Sequence, residues 1–454
     1  MVSMCTALQQ IKDDPFAHLQ PAMINQLAEE LGHDWRDGPL DPANTVALFV
    51  QQIAAGNVSC AEVRHLARTP FSASAYCQAR QRLPLKLLEE INRRVFASAH
   101  AATADQDGCC WHGHRTWIVD GTTCSMPDTP ALQKQFGQPK AQKEGCGFPM
   151  THVLAMVDLH RGLLAEPSVA PLYTSDLRHV PLMHAQMSRN DLLLGDDAFS
   201  SYAHFALLLR DGLHALMPNH HCRIVDFAPG RPHAMPGAKG GTGLPRSRQV
   251  KVLGKNDQIV EWFKPRTRPL WMSKEEYAKL PDSIQVREVR QTLGRKGLPP
   301  LEVTVVTTLL DPKQYPAAEL IDLRMRRWGV EVDLRHLKTT MRMETLHCKS
   351  VAGVKKELAV FVLVYNLVRV VMLEAARRQE VAAERISFAD TLHWLRHAGP
   401  GDPLPALMKV PRRPDRVEPR VLKRRPKSYG LMNKPREELR EALRNPQKKQ
   451  AKSS

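Results

Sequence analysis

The chain has 454 residues, an ordinary apolar content of 43% and a net charge of +17. This length is sufficient for two or three domains with a sizeable core, and the composition excludes wholesale disorder. The basic charge balance indicates an anionic partner, with nucleic acid as the first choice.

The cysteines and the apolar runs indicate the compartment. Nine cysteines are scattered without a CxxC pair, which disfavours a disulfide framework and fits a reducing cytoplasm. The start lacks the basic and apolar regions of a signal peptide. The most apolar run, Leu358–Leu373, contains Asn366 and Arg369 and is too short and too polar to span a bilayer. We therefore expect a buried helix there and a cytoplasmic protein without membrane contact.

Residues 1–105 are predicted to form an all-helical N-terminal domain. Helical periodicity recurs in AMINQLAEELG, ANTVALFVQQIAAG and PLKLLEEINRRVFASAHAA. In the segment Ser74–Pro84, Arg80 and Arg82 lie beside Tyr76 and Gln78. A small helical domain with such a patch fits DNA recognition in a groove. The alternative is a helical bundle that serves as a scaffold.

From Thr116 the apolar period changes to that of strands, and two of the predicted strands end at an aspartate. TWIVD ends in Asp120, and the strand Leu192–Leu194 is followed by Asp196, with a hairpin between them in THVLAMVDLHRGLLAEPSVAP. Acids at the carboxyl ends of strands occupy the place where α/β folds carry chemistry. The alternative is that both are loop aspartates that only terminate strands.

A β-rich insertion is predicted at about residues 219–311, with strands in RQVKVL, QIVEWF, SIQVREVRQTL and LEVTVVTTLL. Its basic surface includes Trp262 and Trp271, which would stack on bases or, as is more usual for Trp, pack into a core. The runs at 109–114 and 220–222 hold Cys and His but lack a second ligand pair at zinc-finger spacing, so each is a weak metal candidate.

The stretch Glu319–Met343 is predicted to be one helix, because its composition favours that state. Arg327 lies four residues before Glu331 and Lys338 seven residues after it, so a helix places all three on one stripe. A carboxylate between two cations suits a site for metal and phosphate. The alternative is a solvated face with ordinary ion pairs. A second long helix, 354–378, is expected to pack on the sheet.

The C-terminal residues 401–454 are predicted to form a basic, disordered tail. From Lys409 onward there are sixteen Lys and Arg against five Asp and Glu, and few apolar residues. Such a segment is expected to order on nucleic acid, or else to act only as a solubilising tail.

Taken together, the motifs VDGTT, PDTPALQKQFGQP, GDDAFSSY and RRWGVEVDLRHLK resemble the DDE transposases of the IS4 family. SAYCQARQRLP and RPKSYGLMNKPR also look like segments of that family, and the resemblance covers roughly residues 70–435. It implies an α/β fold in which residues 106–400 form an RNase H-like catalytic core that carries the β-rich insertion and follows the all-α N-terminal domain.

The resemblance also implies roles for individual residues. It makes Asp120, Asp196 and Glu331 the catalytic metal ligands, and the D-x-x-F context selects Asp196 over its neighbour. Arg327 and Lys338 match the basic positions of the helix motif. The Tyr position of that motif falls on Arg324, a departure from the pattern, although Arg can still bind phosphate there. Arg324, Arg327 and Lys338 are accordingly expected to contact DNA.

The expected activity is metal-dependent cleavage at insertion-sequence ends and strand transfer into target DNA. Two Mg²⁺ ions about 4 Å apart suit this chemistry, with Mn²⁺ as a substitute. The expected partners are the terminal inverted repeats, target DNA and a second copy of the chain, in the nucleoid of a bacterial cytoplasm. The alternatives are a stand-alone RNase H-like nuclease and a DNA-binding protein that has lost catalysis.

Overall fold

The computed structural model describes residues 19–67, 70–103, 108–236, 243–295, 298–327, 329–398, 402–411 and 432–444. A nine-stranded sheet organises these residues, and helices cover both of its faces. The strands are β1 (Thr116–Ser125), β2 (Met150–Asp158), β3 (Ser168–Pro171), β4 (Leu192–Leu194), β5 (His214–Pro218), β6 (Ser247–Gly254), β7 (Asp257–Phe263), β8 (Ser283–Arg295) and β9 (Leu298–Thr307).

The helices precede, separate and follow the strands. They are α1 (Pro21–Glu30), α2 (Pro42–Ala54), α3 (Cys60–Leu66), α4 (Ala73–Arg82), α5 (Leu85–Ala101), α6 (Pro130–Phe136), α7 (Asp176–Met183), α8 (Tyr202–Arg210), α9 (Lys274–Lys279), α10 (Ala317–Arg326), α11 (Gly329–Arg335), α12 (Val351–Arg378), α13 (Phe388–His397) and α14 (Arg436–Arg444). Short 3₁₀ turns at 184–186, 197–199 and 383–385 and a π-helical turn at 336–340 complete the regular structure of the described residues.

The strand order in the sheet is β3-β2-β1-β4-β5-β9-β8-β7-β6. β1, β4 and β5 run parallel, whereas β2 and β3 are antiparallel to their neighbours. The last four strands form an antiparallel meander that joins the sheet where β9 pairs with β5. The four strands predicted in the insertion are confirmed, and they extend the main sheet.

β1 shows how the sequence separates the two faces of the sheet. Its side chains alternate between faces, as in any strand. Trp117 and Val119 join the core beneath α7 and α8, and Ile118 joins the larger core beneath α12. Asp120 comes two residues after Ile118, so it lies on the face of the sheet that α12 covers. The prediction that the strand ends at Asp120 is wrong, because β1 continues to Ser125 through its pairing with β2.

The long helix α12 lies at the centre of the larger core. By length and composition it is the one described helix that would suffice to cross a membrane, but 83% of its most apolar window is buried inside the protein. Asn366 accepts from the Leu164 amide (2.8 Å) and donates to the Leu164 carbonyl (2.9 Å), which fixes the helix to the segment after β2. The predicted buried helix is confirmed.

Three of the five N-terminal helices, α1, α2 and α5, share the core of α12, whereas α3 and α4 bury Val63 and Tyr76 in a separate small cluster. Buried Glu357 on α12 accepts from Asn57 Nδ2 at 2.6 Å and from the Cys348 amide at 2.9 Å. Lys356 Nζ donates to the Gln81 carbonyl at 2.6 Å. The described part of residues 19–103 thus contains helices and no strand, and these helices pack directly on the body.

The prediction of one continuous helix over residues 319–343 is wrong, because the stretch is divided into shorter helical segments. α10 ends at Arg326, Arg327 lies in a turn, α11 begins at Gly329, and a π-helical turn covers 336–340. Gly329 is the weakest helix former of the stretch, which favours a break at this point. The regular stripe of Arg327, Glu331 and Lys338 therefore does not extend through the segment.

The tail predicted to be disordered is ordered where the structure describes it. Residues 402–411 contact the body, with the Met408 amide donating to Asp390, and residues 436–444 form α14. Arg436 Nη1 lies 3.3 Å from Asp128 Oδ2, and Arg436 Cζ lies 3.9 Å from the centre of the Phe148 ring. These contacts supply the partner groups that composition alone does not reveal. Residues 412–431 and 445–454 lie outside the described part.

Candidate active site

The sheet register brings the first two predicted acids to one level. β1 and β4 are parallel, with Ile118 beside Leu194. Two residues further along each chain lie Asp120 and Asp196, on the face that Ile118 and Leu194 also share. Neighbouring strands are about 4.8 Å apart, so the two carboxylates are close.

Arg327 links the strand acid to the helix acid. Its Nη1 donates to Asp120 Oδ2 at 3.2 Å, and its Nη2 lies 3.8 Å from Glu331 Oε1. The Arg327 side chain is 9% exposed, whereas that of Glu331 is 52% exposed. A buried guanidinium thus connects β1 to α11, with the outer carboxylate open to solvent. Asp120 Oδ1 also accepts from the Gly121 amide at 2.8 Å.

Both its burial and the neighbouring Asp120 affect the pKa of Asp196. It caps the 3₁₀ turn 197–199, with its Oδ1 accepting from the Ala198 amide at 3.0 Å. Burial raises the pKa of Asp196, and the nearby charge of Asp120 adds to this rise, whereas the Ala198 amide and Arg327 oppose it. A cation between the two aspartates would remove this penalty.

Two arginines crowd the same place. Burial lowers the pKa of Arg324 to about 10, with the charge of Arg327 adding to the effect and Asp196 opposing it. The Nε groups of both arginines are buried and lack a hydrogen-bond partner among the described residues. Buried donors normally find a partner, so two free guanidinium N–H groups beside the acids fit a phosphate oxygen.

The Lys338 side chain forms no hydrogen bond or ion pair with the three acids or with Arg327. It is half-buried in the π-helical turn, near the far end of β1. Burial raises the pKa of the Cys124 thiol to about 12, and the nearby Lys338 ammonium opposes this rise. Cys124 lies on the Asp120 face of β1, about 13 Å further along at 3.3 Å per residue. The structure therefore gathers Asp120, Asp196, Arg324, Arg327 and Glu331, and leaves Lys338 at the edge.

The DNA contact predicted for Arg80 stays a prediction that the structure does not favour, because the guanidinium has partners inside the protein. Nη1 donates to Gln52 Oε1 at 2.7 Å, Nη2 lies 3.2 Å from Cys348 Sγ, and the group packs over the Phe49 ring at 4.5 Å. Arg82, on the same helix, is exposed.

The two tryptophans of the insertion also differ. Trp262 is fully buried, with its Nε1 donating to Glu288 at 3.1 Å and the Arg223 guanidinium 3.5 Å from its ring. Base stacking by Trp262 is therefore excluded, since both ring faces belong to the core. Trp271 is half-buried against the same core.

The donor set fits a hard divalent cation. Three carboxylates supply the oxygen ligands that Mg²⁺ and similar ions prefer, and each ionised carboxylate keeps lone pairs beyond those its present partners use. Among the described residues, the three acids do not form a cluster with all ligand atoms within 4.8 Å, the spacing of a single-ion group.

The sequence marked residues 220–222 only as a weak metal candidate and did not reveal their contact with the loop that carries Asp196. His221 Nδ1 lies 3.3 Å from Oδ2 of Asp197, the residue next to Asp196. The ligand atoms of His220, His221 and Cys222 lie within 4.8 Å of one another. No spacing in the sequence signals this contact, because it joins two loops 24 residues apart.

Comparison with known proteins agrees with the geometry. The family described as the transposase DDE domain matches residues 111–367, more than half of the chain. The transposase InsG for insertion sequence element IS4 of Escherichia coli (strain K12) is 27% identical over 381 residues, which cover 79% of this chain and 78% of the relative. A cryo-EM structure of a piggyBac transposase synaptic complex with hairpin DNA shares 10% identity over 87% of this chain and 82% of that one. Its TM-score of 0.42 is below the level at which folds count as the same.

The matched region contains β1, β4 and α11, and thus all three acids. A transposase DDE domain acts on DNA and implies dependence on a divalent metal ion. The order of the motifs, the clustering of the acids and the match over residues 111–367 lead to one conclusion. The chain belongs to the transposase DDE domain family, as a DDE transposase of the IS4 family.

Proposed function

We propose that this chain cleaves DNA at the ends of an insertion sequence and joins those ends to target DNA, with Asp120, Asp196 and Glu331 as metal ligands. The observation that carries the proposal is the meeting of these acids around Arg327, which bonds Asp120 at 3.2 Å and lies 3.8 Å from Glu331. The register of β1 and β4 supports the place of Asp196 in the same group.

The strand order supports an RNase H-like core. The part β3-β2-β1-β4-β5 combines an antiparallel meander with three parallel strands. Asp120 lies within β1, and Asp196 lies just after β4. In this proposal residues 106–400 form the catalytic domain and 219–311 the insertion, with β6–β9 widening the sheet. Residues 1–105 form a helical region that contacts DNA through the exposed Arg82, and the basic residues after 401 add phosphate contacts.

The proposed metal is Mg²⁺, as two ions, with Mn²⁺ able to replace it. When bound, it would lower the pKa of the attacking water or 3′-hydroxyl and offset the charge on the leaving oxygen of the phosphodiester. Asp120, Asp196 and Glu331 would hold the metal.

The basic residues are proposed to hold the scissile phosphate. The Nε groups of Arg324 and Arg327 are buried beside the acids and have no partner among the described residues. An oxyanion could accept from these N–H groups at a site shielded from water. Arg327 also orients Asp120, because the same guanidinium donates to that carboxylate. Lys338 is proposed to bind a phosphate further along the DNA, since it lies near the distal end of β1.

Two ends must be processed together in transposition, so we propose a homodimer on the terminal inverted repeats. The proposed setting is the nucleoid of a bacterial cytoplasm. The basic charge of the chain supports retention on DNA through counterion release.

An assay of cleavage and joining tests the proposal. Purified protein with a DNA duplex that carries the insertion-sequence end should cut and join it with Mg²⁺ or Mn²⁺, and Asp196→Asn and Glu331→Gln should each lose both steps. Cutting without joining would favour a stand-alone nuclease. Binding without cutting in the unaltered chain would favour a protein that has lost catalysis.

A further inference from the structure

A turn after β5 gathers three metal-binding side chains. β5 ends at Pro218, and the Arg223 amide donates to the His220 carbonyl at 2.8 Å, which closes the turn. Successive side chains alternate in a strand, but this turn brings those of residues 220–222 to one side. Their ligand atoms, two imidazole nitrogens and one thiol sulfur, all lie within 4.8 Å of one another. Ligands of one tetrahedral ion have this spacing.

A carboxylate from another loop supports the cluster. His221 Nδ1 lies 3.3 Å from Asp197 Oδ2. A carboxylate accepts in such a contact, so Nδ1 carries the hydrogen and Nε2 keeps its lone pair. Metal-binding histidines usually donate their second ring N–H to a carboxylate in this way.

The second imidazole presents an unprotonated nitrogen to the turn. The Cys222 amide donates to His220 Nδ1 at 3.2 Å, so an ion bound at Nδ1 would replace this hydrogen bond. His221 and Cys222 are exposed and His220 is half-buried, so an ion can reach all three. His220 and Cys222 also line a cavity of about 730 Å³, which is within the usual range for ligand sites.

The donor chemistry selects the ion. One thiolate and two imidazoles suit Zn²⁺ and related transition metals, whereas Mg²⁺ prefers oxygen. Three protein ligands leave a fourth position for water or another ligand. This set therefore differs in kind from the three carboxylates beside Arg327.

We propose that His220, His221 and Cys222 bind one Zn²⁺ ion, with Asp197 as the residue that positions His221. The ion would tie the turn after β5 to the 3₁₀ turn after β4, one residue from Asp196. The bound ion would thus stabilise the loop next to Asp196, which the proposed function makes a catalytic metal ligand.

The test uses the full chain and Zn²⁺ or Co²⁺ alone, without DNA. Wild-type protein should retain one equivalent of Zn²⁺ after dialysis, and its Co²⁺ form should show a thiolate-to-cobalt charge-transfer band. Cys222→Ser should abolish the band and weaken Zn²⁺ binding more than tenfold, whereas Cys110→Ser, at another exposed cysteine, should retain both. Asp197→Asn should keep the band and bind Zn²⁺ about 10- to 100-fold more weakly.

Two further measurements separate this site from the catalytic one. The double variant Asp120→Asn/Glu331→Gln should bind Zn²⁺ as the wild type does, whatever its cleavage activity. Circular dichroism should show that each variant is folded. Equal Zn²⁺ affinity in the wild type and Cys222→Ser, or a Co²⁺ spectrum without a thiolate band, would overturn the proposal.

Discussion

Two arginines of this transposase, Arg327 beside the acids and Arg80 on α4, look alike in sequence and differ in their partners. Both are largely withdrawn from solvent. Arg80 binds neutral groups, Gln52 and Cys348, and packs on an aromatic ring. Arg327 binds two carboxylates and keeps a buried N–H that has no partner among the described residues. Burial alone therefore does not separate a structural arginine from a functional one, and the chemistry of the partners does.

The largest effect is expected when the acid partner is altered. Asp120→Asn should lower the cleavage rate by more than about a hundredfold, because losing a direct metal ligand costs more than the 10- to 100-fold of an outer-shell change. DNA binding should change little, since the variant keeps the shape of the site. Gel-based cleavage and a binding titration measure the two quantities. Retained cleavage would remove Asp120 from the site.

The second effect concerns Arg327 itself. Arg327→Ala should lower cleavage by about 100-fold, because it removes donors to the phosphate and frees two acids from their orienting group. Arg327→Lys is the matched control: it keeps the charge but cannot span Asp120 and Glu331, so it should restore only part of the rate. Full activity in the alanine variant would show that the acids need no bridge.

A smaller loss of cleavage rate is expected when Lys338, at the edge of the site, is altered. Lys338→Ala should lower cleavage by about tenfold, as one phosphate contact is worth roughly 1 to 3 kcal/mol. Thermal unfolding should stay close to that of the wild type, because the side chain is half-buried and forms no ion pair with another described residue. An unchanged cleavage rate would favour a solvated lysine without a role.

The smallest effect on DNA chemistry is expected at Arg80. Arg80→Ala should lower the free energy of unfolding by about 1 to 3 kcal/mol, because Gln52 loses its charged donor inside the protein. DNA affinity should stay within about twofold. Arg82→Ala is the matched control on α4, and it should change stability by less than about 0.5 kcal/mol while weakening DNA binding. A selective loss of DNA affinity in Arg80→Ala would reverse the contrast between the two arginines.

The sequence predicted much of the sheet and the identity of the acids. The strands of the insertion and the hairpin before β4 follow from alternation, and the buried helix follows from its apolar run. The register of β1 on β4, which brings Asp120 level with Asp196, depends on pairing between segments about 75 residues apart and is not written in either segment.

Other features depended on tertiary partners. Arg80 sits in a polar-looking helix, and only the approach of Cys348, from 268 residues away, shows that it faces inward. The contact of His221 with Asp197 likewise arises from packing. The break at Gly329 has a local cause in the glycine, although the residues around it favour one continuous helix. The family resemblance supplied roles for the acids, but it carried no information about these contacts.

The buried carboxylate of Glu357 has a practical consequence for anyone who divides this chain. Asn57 reaches it from the N-terminal helices, and the same helices cover the apolar flank of α12. A fragment that starts near residue 105 would expose that flank to water and deprive an interior anion of one of its donors. Expression trials of the catalytic half alone should therefore yield aggregates, whereas co-expression of the two halves should give a soluble, reassembled enzyme.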